Sequence, residues 1–290
     1  MDFEINSIDL LIGGHVLAIE NNLFILIKMS INIYLEDCIQ GMKRLKSGCA
    51  HLVISDPPYN IGIGNEKWDC IDNYIDFTKL WLQEAVRILH PNGTIMIWGS
   101  PNKDYIFRIT QMAIDTFGLN FLQSLSWVYT TGGDGRLSNM KLYATRHEIL
   151  MWFSRSNTYT FNPTQICDNY TKEEKEIALA KGSGRVKKES LETGRPPRSW
   201  FFENRENSRS VERRHGKHPS MKPLAVCHRI VKAHSNVGDL IVIPFMGSGS
   251  EVIAAGLNDR ACIGFENKSE YMEIVEKRLI SHNIAYSRHG

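Results

Sequence analysis

The sequence predicts an α/β protein built on a doubly wound, mostly parallel sheet. Three observations carry that prediction. Apolar strands alternate with amphipathic helical segments along most of the 290 residues. The segment DLIVIPFMGSGSEVIAAG (239–256) is a strand, a glycine turn and a helix in succession. The stretch SDPPYN (55–60) ends an apolar run in two prolines, which cannot donate to a sheet ladder.

Taken in order, INIYLED (31–37) alternates apolar and polar residues and reads as a strand, followed by a short helix over CIQGMKRL (38–45) and a buried strand over AHLVIS (50–55). NYIDFTKLWLQEAVRIL (73–89) has helical spacing, and HPNG stops it with turn chemistry. TIMIWGS (94–100) is a strand, DYIFRITQMAIDTF (104–117) a helix, and FLQSLSWVY (121–129) and HEILMWFSR (147–155) are strands. Residues 156–220 lose periodicity and gain Asn, Arg, Ser, Pro and Gly; so long a stretch reads as a functional insertion. Regularity returns with a helix in PLAVCHRIVKAHS (223–235), a strand in DLIVIPF (239–245) and a helix from EVIAAGLN (251–258). RACIGFE (260–266) is a strand and EYMEIVEKRLI (270–280) a final helix, and no internal repeat is present.

Hydrophobic content of 42% suits a full core. The net charge of +2 is unevenly spread: residues 181–222 hold 12 Lys/Arg against 5 Asp/Glu, so that stretch is +7 and the remainder −5. A basic segment on a near-neutral scaffold fits a polyanionic partner. Cysteines 38, 49, 70, 167, 227 and 262 form no CxxC pair, which argues against a zinc site, leaves no metal expected, and suits a reducing, cytoplasmic setting. Asp2 and Glu4 stand where a signal peptide would be basic, and Glu20, Asn21 and Asn22 interrupt the only early apolar run, so neither secretion nor a membrane is expected. Met29 opens the regular pattern, so 1–28 is expected to be an N-terminal extension or the product of an upstream start.

In the glycine turn, Gly247 and Gly249 permit positive φ and a close backbone approach at a helix N-terminus. Glu266 ends the next strand, 21 residues after Phe245, the offset at which a carboxylate reaches ribose hydroxyls. Val252 fills the third position of G-x-G-x-x-G and no Gly-Lys-Ser/Thr follows, so a dinucleotide oxidoreductase is disfavoured and a P-loop excluded. SDPPYN and FMGSGS both follow strands, and such loops face one cleft in an open α/β sheet. There the Asp56 carboxylate and a loop carbonyl can both accept from one exocyclic amine, while Tyr59 offers a ring to a planar base.

In these residues the chain resembles the β arrangement of amino-methylating, S-adenosylmethionine-dependent DNA methyltransferases. DPPYN (56–60), HPSMKPLAV (218–226) and PFMGSGS (244–250) follow one another as the family's motifs do, and the resemblance spans about 31–280. It implies a Rossmann-like methyltransferase fold with an inserted target-recognition region and S-adenosyl-L-methionine as cofactor. It implies that Asp56, Pro57, Pro58 and Tyr59 hold a flipped base, with Asp56 also bordering the cofactor. Phe245, Gly247, Ser248, Gly249 and Ser250 would line the methionine side of the cofactor, Glu266 its ribose and Asp37 its adenine, with Lys222 and Pro223 packed alongside. The implied division is a catalytic half (29–155), a target-recognition insertion (156–217) and a cofactor-binding half (218–290). Three departures stand out: Ile243 where the family usually has Asp, Met221 where Gln is usual, and GSGSE (247–251) for GSGTT.

An Asp-first tetrapeptide followed by Asn60 resembles the adenine-N6 members, and a Ser-first one the cytosine-N4 members. The expectation is therefore methyl transfer to N6 of an adenine in double-stranded DNA, at a specific short sequence. The alternatives are cytosine-N4 transfer and, given Ile243, a catalytically silent DNA-binding relative. Lys187, Lys188, Arg195, Arg198, Arg213 and Arg214 are the candidate DNA contacts, and TTGGDGRLSN (130–139) is a glycine loop able to close over DNA. Trp200 and Phe201 either anchor this lobe or touch DNA. A homodimer and a cognate restriction endonuclease are further partners that the resemblance allows.

Overall fold

The computed structural model describes residues 30–63, 66–130, 141–180, 188–207 and 209–290, the side chains of 188–190 excepted. The extension 1–28, the loop over 131–139, Lys187 and the Lys188 side chain lie outside the described residues.

The strands are β1 (Ile31–Leu35), β2 (Ala50–Ser55), β3 (Leu89–Gly99), β4 (Asn120–Val128), β5 (His147–Ser154), β6 (Trp200–Phe202), β7 (Leu240–Ile243), β8 (Ala261–Glu266) and β9 (Tyr286–His289). They form one sheet in the order β6-β4-β5-β3-β2-β7-β8-β1-β9. β5 runs antiparallel to both neighbours, and every other pairing is parallel. The helices are α1 (Cys38–Lys43), α2 (Tyr74–Ile88), α3 (Tyr105–Asp115), α4 (Lys172–Ala180), α5 (Lys188–Thr193), α6 (Leu224–His234), α7 (Ser250–Leu257) and α8 (Ser269–Ser281).

Central strands are apolar on both faces because both faces are covered. Leu52 and Ile54 enter a core with Val226, Ile230, Val252 and Val275 of α6, α7 and α8. Val53, between them, points the other way, toward Trp81, Leu82 and Ile109 of α2 and α3. The same alternation splits Ile241 and Ile243 from Val242. The doubly wound, mostly parallel expectation therefore holds.

Three local readings differ. The residues of HPNG belong to β3, which begins at Leu89 directly after α2; a register shift between Ala50 and Leu52 takes up the extra residues. The stretch 156–220 contains α4, α5 and β6. None is legible as a pattern, since α4 buries no side chain and β6 has three residues. β9 is likewise polar; it is an edge strand held by its ladder to β1 and by His289 stacked on Tyr34, with ring centroids 4.3 Å apart.

β2 and β7 are parallel neighbours, with Leu52 opposite Ile241 and Val53 opposite Val242. From β2 the chain proceeds to β3 on one side, and from β7 to β8 on the other. Their carboxyl ends thus meet where the winding reverses, the place for a ligand crevice in such sheets.

Candidate active site and cofactor cleft

The loop after β2 is stiffened from several directions. The Asp69 carboxylate accepts the N–H groups of Asn60 (2.7 Å), Ile61 (3.1 Å) and Ile63 (2.8 Å). The Pro58 carbonyl accepts from the Tyr74 hydroxyl at 2.5 Å. Asn60 sits at φ 54° and clips the loop by accepting from the Ile71 N–H (2.7 Å) and donating to its carbonyl (3.2 Å). The Asn that follows the tetrapeptide is thus spent on loop shape.

Asp56 sits in a buried cluster of opposite charges. Lys222, 3% exposed, donates from Nζ to Asp56 Oδ2 (2.7 Å) and to the Tyr59 hydroxyl (3.3 Å), and lies 3.1 Å from Glu148 Oε2. The Tyr59 hydroxyl lies 2.8 Å from Asp56 Oδ1 and 3.0 Å from Glu148 Oε2. Arg205 reaches Glu148 Oε1 at 3.3 Å and hydrogen-bonds the Tyr129 hydroxyl. Burial lifts the Asp56 pKa, against the pull of Lys222. Burial alone would lower that of Lys222, but Asp56 and Glu148 outweigh it and keep the ammonium protonated. Burial beside the two carboxylates pushes Tyr59 well up, so its hydroxyl stays protonated.

The second loop begins where β7 gives way to Pro244 and Phe245. Phe245 packs its ring against Trp81 and Phe77, at centroid distances of 5.5 and 6.0 Å. Gly249 caps α7 at φ 77°, and a Cβ there would come within 2.9 Å of Val275. Gly247, at φ 50°, passes beside His218, which burial holds neutral with its pKa near 3. At the end of β8, Glu266 accepts the N–H groups of Gly247 (2.8 Å) and Lys268 (2.9 Å), yet burial still pushes its pKa up to about 7.

One cleft of about 370 Å³ joins the two loops. Asp37, Asp56, Pro57, Pro58, Tyr59, Lys222, Phe245, Gly247, Ser248 and Glu266 all border it. Pro223, Gly249 and Ser250 do not: Pro223 and Gly249 cap helices, and the Ser250 hydroxyl donates to the Lys222 carbonyl at 2.7 Å. Asp37 is also the N-cap of α1, accepting the Gln40 N–H. The apolar side chains of Ile71, Trp68 and Phe77 and the carboxylates at 56, 251 and 266 line the same cleft. That pairing of flat apolar surface with excess negative charge fits a cationic nucleoside such as S-adenosylmethionine.

The sequence reading missed Glu148, Glu251, His218 and Trp68. Only Glu148 left a usable signal, an acidic residue near the start of an apolar strand. Because β5 runs backward, its first residues lie at the carboxyl edge of the sheet. None of the basic candidates described borders the cleft. Arg195 is paired with Glu174 and stacked on Tyr170, and Arg198 lies 3.6 Å from Asp168 and over the Trp200 ring. Arg213 donates to the Glu206 carbonyl at 3.0 Å, and Arg214 is exposed on the short helix Glu212–His215.

Comparison with known proteins agrees with this geometry. Residues 50–277 match a family model described as DNA methylase, of the N6 and N4 methyltransferases. The type II methyltransferase M.HpaI of Haemophilus parainfluenzae is 29% identical over 258 residues, covering 87% of this chain and 75% of that one. M2.DpnII of Streptococcus pneumoniae is 27% identical over 263 residues, covering 85% and 88%. Among solved structures, the cytosine-N4-specific PvuII DNA methyltransferase superposes with a TM-score of 0.68 at 17% identity, over 89% of each chain. The M1.HpyAVI–SAM complex gives 0.58 at 23% identity, over 86% of this chain and 98% of that one. With the match spanning most of its length and both motif loops gathered at one cleft, the chain belongs to the N6/N4 family of DNA methylases.

Proposed function

We propose that this DNA methylase uses S-adenosyl-L-methionine to methylate the N6 amino group of an adenine flipped out of double-stranded DNA. The observation that carries the proposal is the Asp56 carboxylate, held on a stiff loop at the end of β2, beside the glycine turn that follows the neighbouring β7. The cofactor would lie along Phe245, Gly247, Ser248 and Glu266, with Asp37 toward its adenine. When bound, it supplies a methyl group on a sulfonium, whose sulfur leaves as a neutral thioether.

The protein's part is positioning and fixed charge. The amine of adenine is a poor nucleophile because its lone pair is delocalised into the ring. Asp56 and a loop carbonyl accept its two N–H groups and favour a tetrahedral nitrogen. Lys222 and Tyr59 hold the Asp56 carboxylate in place. The proton shed by the methylated nitrogen passes to Asp56, which burial has made more basic than a free carboxylate. Extruding the base costs a few kcal/mol, which contacts in the cleft and along the phosphates offset. The Asp-first tetrapeptide favours adenine over cytosine. The two type II methyltransferases among the relatives support a role beside a cognate restriction endonuclease. Lys187, Lys188, Arg213 and Arg214 remain the proposed phosphate contacts; Arg195 and Arg198 are assigned instead to bracing their own segment.

The test is to incubate the protein with labelled S-adenosylmethionine and unmethylated genomic DNA, then identify modified nucleosides by mass spectrometry. N6-methyladenine is expected. N4-methylcytosine would retain the chemistry and overturn the choice of base, and the absence of any methylated base would overturn the whole reading.

A further inference from the structure

We infer that Glu251 receives the α-ammonium of the cofactor's methionine part, supplying from helix α7 the carboxylate that Ile243 does not. Ile243, at the end of β7, is 1% exposed and packed in the apolar core. Glu251 stands two residues past Gly249, in the first turn of α7, and borders the cleft. It is 4% exposed, and its Oε1 has no hydrogen-bond partner among the described residues.

A buried carboxyl oxygen with no donor is costly in a folded protein, so a complement from the ligand is the natural resolution. The protein's own cations nearby are committed. The Lys222 ammonium has three donors, and it already faces Asp56, Glu148 and the Tyr59 hydroxyl. Arg278, the other cation acting on Glu251, donates from Nε to Glu212 and from Nη1 to the Ser248 carbonyl and the Ser250 hydroxyl, and its Nη2, which has no hydrogen bond among the described residues, lies 2.7 Å from Glu212 Oε2. The Asp56 carboxylate also acts on Glu251, and it is repulsive.

Of the two cationic centres the cofactor carries, the sulfonium has no hydrogen to donate. The α-ammonium has three, so of these two centres it is the one that can complete Oε1. The departures at 243 and 251 are thereby one change: the carboxylate has moved from the strand end to the first turn of the following helix. The bland alternative is a protonated Glu251 that merely fills the wall of the cleft.

The experiment is direct binding, by titration calorimetry, of S-adenosylhomocysteine and of its analogue with hydrogen in place of the α-amine. Neither ligand transfers a methyl group, so the result is independent of which base is modified. The wild-type protein is expected to bind the analogue at least about tenfold more weakly, the scale of a charge-assisted hydrogen bond. In Glu251→Gln, and in Glu251→Thr, which restores the residue of GSGTT, the two ligands are expected to bind within about threefold of each other. Equal binding of the two ligands by the wild type would overturn the inference with no variant required. A wild-type preference that survives in either folded variant would overturn it too, assigning the α-amine to another group.

Discussion

Lys222 donates to Asp56 and to the Tyr59 hydroxyl and is ion-paired with Glu148, and those three partners explain why a fully buried lysine is tolerated beside the reactive loop. That arrangement also sets what each partner contributes. Asp56→Asn keeps the shape of the side chain but loses the anion that accepts from the target amine. The methylation rate in single turnovers is expected to fall at least about 10³-fold, with cofactor affinity changed by no more than about threefold. A loss of less than tenfold would remove Asp56 from the chemistry. Glu148 does not border the cleft, so its role is to hold Lys222 and Arg205. Glu148→Ala leaves two cations short of a buried partner and should cost about 2–4 kcal/mol in urea unfolding. Asp56 could be named from sequence because the DPPY loop is a local motif. Glu148 left only the weaker signal of an acidic residue near the start of an apolar strand, because its place at the site depends on β5 running against its neighbours, which the strand's own residues do not specify.

Among the elements, the strand–turn–helix around Gly247 and the end of β8 act as one unit, because Glu266 ties the turn to the strand. Burial pushes both Glu251 and Glu266 up to about 7. A carboxyl whose folded pKa lies above its unfolded one binds more protons when folded. Its contribution to stability is therefore fully present below the unfolded value and is lost as pH rises through about 7. Cofactor binding follows the opposite course, since only the ionised form attracts a cation. Affinity for S-adenosylhomocysteine is expected to increase between pH 6 and pH 8, and Glu251→Gln should flatten that rise; an affinity that falls over this range would contradict both assignments. The turn itself is predicted to be intolerant. Gly249→Ala meets Val275 and keeps a left-handed φ, so it should cost about 1–3 kcal/mol of stability and weaken the cofactor, read by unfolding and by calorimetry. The elements that sequence could name are those whose period is imposed by burial, such as β2 and α2. β6 and β9 bury too little to carry a period, and their pairing partners lie 74 and 255 residues away in the register of Ser126 with Trp200 and Ile31 with Tyr286.

At the scale of the molecule, the segment read as an insertion is bound into the scaffold at several places. β6 extends the sheet beside β4, and Glu212 holds the fully buried Arg278 of α8, with Nε donating to Oε2 at 2.8 Å. The same guanidinium donates to the Ser248 carbonyl at 2.5 Å and to the Ser250 hydroxyl at 3.0 Å, both in the cofactor turn. Burial opposes ionisation of Glu212, but Arg278 and His282 outweigh it and hold the carboxyl below its usual range. One side chain therefore joins the middle segment to the turn. Its two roles separate in a pair of variants. Arg278→Met leaves Glu212 without its main partner and should cost about 3–5 kcal/mol in urea unfolding, with weaker cofactor binding. Adding Glu212→Leu removes the unpaired carboxylate and should recover most of the stability, because an apolar pair of similar volume replaces a buried ion pair at little cost. Cofactor affinity should stay low in the double variant, because the Ser248 carbonyl and Ser250 hydroxyl still lack their donor. Recovery of both quantities together would mean that Arg278 only neutralises Glu212 and leaves the turn to support itself.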